Sequence, residues 1–186
     1  MGKRRNKVLE RLHLAQEELA LVRVDRGDEF DLLDGYVVAV GSEWVLLAVL
    51  DDAIVLDGHT ALRLADVRRI GRRSNDDMVQ QALSVREQWP PAPPGVTIDL
   101  DSIRGLLTTL MEQPVITVHP ELDDPTVCFI GAPAGLGDRS LRLVEVDSRG
   151  VWNNRSTKHR IADITRIDIG GRYEQALLSV AGPLPH

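Results

Sequence analysis

Leu62-Arg63-Leu64-Ala65-Asp66-Val67-Arg68-Arg69-Ile70 has a second version in the same chain, His159-Arg160-Ile161-Ala162-Asp163-Ile164-Thr165-Arg166-Ile167. A step of 97 residues sets Arg63 on Arg160, Leu64 on Ile161, Ala65-Asp66 on Ala162-Asp163, Val67 on Ile164 and Arg69-Ile70 on Arg166-Ile167. Each version reads as a strand, a one-turn corner and a second strand. Upstream, a step of 96 sets Gly35 on Gly131, Gly41 on Gly137, Leu47 on Leu143 and Asp57-Gly58 on Asn153-Asn154. Downstream, Gln81-Ala82-Leu83 is echoed by Gln175-Ala176-Leu177 at a step of 94, so the change of length falls in the loop after the last strand, where it costs least. Offsets this steady point to a duplicated module.

The first module takes its elements from local pattern. Val8, Leu12, Ala15, Leu19 and Val22 alternate in steps of four and three, which predicts a helix over 6–23 capped by Asn6. Phe30 to Val40 reads as a strand bent at Asp34-Gly35, and Trp44 to Leu50 as one apolar enough to be buried on both faces. Ala53 to Leu56 and Thr60 to Leu64 read as a hairpin turned at Asp57-Gly58, and Val67 to Ile70 as the fifth strand. Ser74 to Asp77 opens a second helix with Met78, Val79, Ala82, Leu83 and Val85 facing inward. Trp89-Pro90-Pro91-Ala92-Pro93-Pro94-Gly95 can neither continue a helix nor enter a sheet interior, which marks 89–97 as a linker between modules at 1–88 and 98–186. In the second module, Asp101 to Gln113 is a short helix, Val115 to Val118 a strand, and a closing helix follows the repeated corner.

Composition narrows the function classes. The formal net charge of -6 is shared evenly: residues 1–88 hold 13 Lys plus Arg against 16 Asp plus Glu, and 89–186 hold 9 against 12. Mild, even acidity argues against a dedicated nucleic-acid or anionic-membrane surface, leaving room only for a local basic patch. Cys128 is the single cysteine, which excludes an intrachain disulfide or a cysteine metal cluster; Val127-Cys128-Phe129-Ile130 predicts a buried thiol. No apolar run reaches the length of a membrane span, and the basic start at Lys3-Arg4-Arg5 and Lys7 lacks the apolar stretch of a secretory signal, so the expected location is the cytoplasm.

Helix, five short strands with a tight corner between the fourth and fifth, then a helix: this order resembles the Sm-like small barrels within the wider SH3-like class. Leu46-Leu47-Ala48-Val49-Leu50-Asp51-Asp52 is similar to the end of the second strand of that family, and Leu62-Arg63 followed by Val67 falls where it carries a hydrophobic-Arg-Gly motif. The resemblance covers 30–72 and, more weakly, 127–169. It also extends to bacterial proteins built from one or two such modules, a group that brings no activity to carry over. It implies an α+β chain, mainly β with flanking helices, made of two tandem five-stranded barrels. Sm proteins hold a uracil with an Asn and with the Arg of the later motif; here the Asn place is taken by Leu47 and Leu143, and the Gly place by Leu64 and Ile161. Leucines cannot bond a base edge, and aromatic residues make up only 4% of the chain, too few for a stacking platform.

Candidate chemistry is sparse. Asp51-Asp52, Asp76-Asp77 and Asp123-Asp124 fall at turns or a helix start, where Asp serves its own backbone. His13, His59, His119, His159 and His186 have no ligand spacing, and the glycines at 131, 135 and 137 precede a strand instead of the helix a phosphate loop needs. No catalytic, cofactor or metal residue is assigned. Trp44 and Trp152 are expected to cover barrel ends. The candidate anion or RNA contacts are Arg63, Arg68, Arg69, Arg72 and Arg73, with Arg160 and Arg166 in the second module. Against that reading, Arg63 and Arg160 stand beside repeated aspartates as local ion pairs, and the 68–73 cluster reads as a strand edge kept charged to prevent edge pairing. The sequence therefore favours a non-catalytic interaction or assembly module with a protein partner or a second copy of itself, no cofactor and no membrane, over an RNA-binding protein.

Overall fold

The computed structural model describes residues 2–185. Four helices, α1 (Gly2–Glu17), α2 (Asp76–Val85), α3 (Ile103–Thr109) and α4 (Arg172–Ala181), accompany ten strands. The strands are β1 (Leu21–Asp25), β2 (Leu33–Val40), β3 (Trp44–Leu50), β4 (Leu56–Arg63), β5 (Arg69–Arg72), β6 (Ile116–His119), β7 (Phe129–Leu136), β8 (Ser140–Glu145), β9 (Thr157–Arg160) and β10 (Arg166–Ile169). They form one antiparallel sheet in the order β5-β1-β2-β3-β4-β10-β6-β7-β8-β9, so the first five strands and the last five follow the same sequence of neighbours. Leu64–Asp66 and Ile161–Asp163 are both one-turn 3-10 helices, each between the fourth and fifth strand of its half.

Other irregularities repeat as well. The β2–β3 register shifts between Val37 and Ala39, and the β7–β8 register shifts between Pro133 and Gly135, 96 residues on. A Cβ on Gly35 would lie 2.4 Å from the Ala48 carbonyl oxygen, and one on Gly131 would lie 2.5 Å from that of Val144. Glycine at both places lets the neighbouring strand close in where the sheet bends.

Several elements differ from what local pattern predicts. The first helix ends at Glu17, because Leu19 turns to φ 47 and the next residues pass into β1. Val22 therefore lies in a strand, where β-branched Val22 and Val24 fit better than in a helix. Secondly, Asp57-Gly58 is no hairpin: the turn is at Asp51–Val55, with Ile54 at φ 57, and β4 runs unbroken through Gly58 at φ 66. Gly58 sits at a bulge where a Cβ would be 2.5 Å from the Gly171 nitrogen, so the end of β10 occupies the space a side chain would take. Thirdly, α2 buries Val79 and Leu83 but exposes Met78 and Val85, and its N-cap is Asn75 with no side-chain cap bond. Asn153-Asn154, aligned with Asp57-Gly58, has no positive φ; before β9 that conformation belongs to Gly150.

Apolar burial links the halves. Val8, Leu12 and Ala15 of α1 pack with Val22, Val24, Val45, Leu47, Leu62 and Ile70. On the other face of β3, Trp44 and Leu46 join a cluster with Leu106, Leu107 and Leu110 at α3 and with Ile116, Leu141 and Ile167. The alternation along β3 thus serves two clusters, which is why Trp44 through Ala48 is buried at every position. Trp44 is a core residue under α3 and not a barrel cover; Trp152 lies against α4 and donates from Nε1 to the Gly182 carbonyl. The linker packs on the first half: Trp89 meets Tyr36 edge-on at 5.1 Å, and the Ala92 carbonyl lies 3.0 Å from His59 Nε2.

Candidate functional site

The seam between the halves is a strand pair. β4 runs antiparallel to β10, with Leu62 opposite Arg166, Ala61 opposite Ile167, Thr60 opposite Asp168 and His59 opposite Ile169. Polar side chains pin it on both sides. Asp168 accepts from Thr60 Oγ1 at 2.7 Å and from Arg166 through two bonds of 2.8 Å, and its other oxygen pairs with His119 Nε2 at 2.8 Å. Burial alone would raise the Asp168 pKa, but His119 and Arg166 outweigh it and hold the carboxyl well below the usual range. Nearby, Arg26 makes a two-bond ion pair with Glu121, at 2.5 and 2.8 Å, and Thr165 Oγ1 adds a 2.6 Å bond to the same carboxylate.

Each arginine of the sequence reading has a definite place. Arg63 is held by Asp66 through two bonds of 2.7 and 3.1 Å, and Arg160 lies 3.5 Å from Asp163 at the equivalent corner. Arg166 is spent on Asp168 in the seam. Of the 68–73 cluster, Arg69 is 3.6 Å from Asp25, Arg72 is 2.5 Å from Glu18 and Arg73 is 3.4 Å from Asp34. Only Arg68 has no carboxylate within ion-pair distance among the described residues. The cluster is a row of ion pairs, not a continuous strip of free cations.

Cys128 is exposed, contrary to the expected burial, because the acidic loop before β7 leaves it outside the core. Its thiol pKa is nonetheless raised, first by partial desolvation and then by the Asp168 carboxylate, so it is a poor nucleophile at neutral pH. His119 and His159 are engaged by Asp168 and Glu145, and no group of three His, Cys, Asp or Glu side chains among the described residues could hold a metal. His186 lies outside the described residues. No helix among them is long and apolar enough to cross a membrane.

The two edges of the sheet differ. On β5, helix α1 takes the outward Ile70 carbonyl, to which Arg11 donates at 3.0 Å, and just before the strand Arg4 donates to the Arg68 oxygen at 3.2 Å. On β9, the Ile161 N–H donates to the Arg139 oxygen, and antiparallel alternation from there turns the N–H and C=O of Lys158 and Arg160 away from β8. Thr157, Lys158 and Arg160 are exposed. This edge escaped the sequence reading because openness depends on which strands pair across the seam, and the residues of β9 carry no sign of it. Comparison with family models, curated proteins and solved structures finds no match to this chain.

Proposed function

We propose that the chain is a non-catalytic interaction module of two Sm-like, SH3-like barrels, and that β9 accepts an extended segment of a protein partner. The observation that carries this reading is the unequal use of two equivalent strands. β4 and β9 are the fourth strands of their halves; β4 is covered by β10, while β9 is not covered by any described strand. The chain already uses one such edge for strand addition, and the second edge offers the same row of outward N–H and C=O groups. By analogy with the seam, a guest strand would bond at Lys158 and Arg160 as β10 does at Ala61 and Arg63. Exposed Lys158 favours an acidic guest and discourages a second β9 from docking there, while Arg160 is already shared with Asp163.

RNA binding has less support, because Arg69, Arg72 and Arg73 already face carboxylates. The test is photo-crosslinking from position 160 in cell extract, with native chain beside Lys158→Pro. Proline there removes one outward N–H and leaves the β8 ladder intact. A discrete protein adduct lost in the variant supports the reading. Equal adducts in both chains overturn it.

A further inference from the structure

Helix α1, the loop after β1 and the corner at Leu64–Asp66 line an open cleft of about 1240 Å³. Its wall is partly apolar, with Val8, Phe30, Leu64 and Val67, and partly cationic, with Arg4, Arg5, Arg26 and Arg68. Of the arginines that line it, Arg63 is spent on Asp66 and Arg26 on Glu121. Arg4, Arg5 and Arg68 have no carboxylate within ion-pair distance among the described residues; Arg4 and Arg5 donate only to the backbone oxygens of Arg68 and Ser42. Arg26 is fully buried and its guanidinium stacks 4.8 Å over the Phe30 ring, yet its Nε has no hydrogen-bond partner. Gly2, at the start of α1, also lines the cleft, and the first turn of that helix has no acidic residue to offset its positive end. Glu29 and Glu43 are the opposing charges; both are exposed, and they leave the cations in excess.

We propose that this cleft is a binding site for a small amphipathic anion: an anionic head, phosphate or carboxylate, on an apolar body. The head would accept from Arg4, Arg5 and Arg68, and the body would lie against Phe30, Val8 and Leu64. At about 1240 Å³ the cleft is roomier than the roughly 300–1,000 Å³ usual for small-molecule sites, so such a ligand would fill part of it. Neither a cofactor nor catalysis is implied, and the site is independent of the β9 edge.

The experiment is calorimetric titration of the full chain with phenyl phosphate, decanoate and inorganic phosphate, repeated on Arg68→Gln and Phe30→Ala after each variant is shown to melt like the parent. Phenyl phosphate is expected to bind one to one and to weaken about tenfold in Arg68→Gln, the scale of one lost charge-assisted bond. Phe30→Ala should weaken phenyl phosphate and leave inorganic phosphate, the weaker ligand, unchanged. Binding of decanoate alone assigns a fatty-acid type of anion, and binding of phenyl phosphate alone an aromatic phosphate ester. No saturable binding of either, binding indifferent to Arg68→Gln, or inorganic phosphate binding as tightly as phenyl phosphate overturns the proposal.

Discussion

Arg26 and Glu121, 95 residues apart, form a two-bond ion pair with side chains 0% and 5% exposed, tying the end of β1 in the first half to the loop after β6 in the second. Thr165, at the corner of the second half, completes the carboxylate's bonding. Two desolvated charges gain little net stability over an apolar pair of the same shape, but either charge left alone is severely penalised. Glu121→Leu should therefore destabilise the chain by about 3–5 kcal/mol. The double change Arg26→Met with Glu121→Leu should recover most of that loss. Urea unfolding midpoints check both; a single variant as stable as the parent would mean that the pair is hydrated in solution.

Acid should loosen the seam first. Asp168 and Glu121 both have pKa values held below the ordinary carboxylate range, against the opposing effect of burial, by their arginine, histidine and threonine partners. A depressed folded-state pKa means a stabilisation fully present above the unfolded value, about pH 4, and lost as pH falls through the folded value. Melting temperature should thus hold from neutrality to about pH 4 and fall steeply below it. Asp168→Asn lowers stability at neutral pH and should flatten the acid limb. An acid limb of unchanged slope in Asp168→Asn would assign the effect to other carboxylates.

The repeated corners should be structural. Leu64 and Ile161 are 5% and 8% exposed and each opens its 3-10 turn. Burying an unpaired carboxylate there costs several kcal/mol, the scale of a small domain's whole stability. Leu64→Asp and Ile161→Asp should each lose cooperative melting or drop sharply in melting temperature. Unchanged melting curves would show that the turns open easily to water.

The sequence made the corners legible because a 3-10 turn between two strands depends on residues next to one another. It misplaced β1 and split β4, for opposite reasons. Val22 fits the helical spacing of Val8, Leu12 and Ala15 by period alone, and only the turn at Leu19 ends the helix. Asp57-Gly58 carries a local hairpin signal that tertiary contact overrides, since the end of β10 presses on Gly58. One error removed a strand and the other added one, so the expected number of strands survived. Arg63–Asp66 and Arg160–Asp163 could be foreseen from a spacing of three; Arg26–Glu121 and the free Arg68 could not, because their surroundings are assembled from both halves and from α1.

The arginine row bears on RNA directly. Arg69, Arg72 and Arg73 each stand within ion-pair reach of a carboxylate, and the surrounding chain carries a net charge of -6. Affinity for a single strand grows with the number of phosphates neutralised, and cations already balanced by Asp25, Glu18 and Asp34 neutralise few. Leu47 and Leu143, which stand where the resemblance to Sm proteins would put a base-reading Asn, are both fully buried, so neither offers an edge hydrogen bond. The protein should bind labelled oligouridine no better than an unrelated acidic protein at physiological salt. Whatever binding appears at low salt should vanish in a variant with Arg68, Arg69, Arg72 and Arg73 changed to Glu. Submicromolar binding that resists salt would overturn the interaction-module reading and make RNA the ligand, whereas weak, salt-sensitive binding lost in the variant marks the row as a generic anion patch.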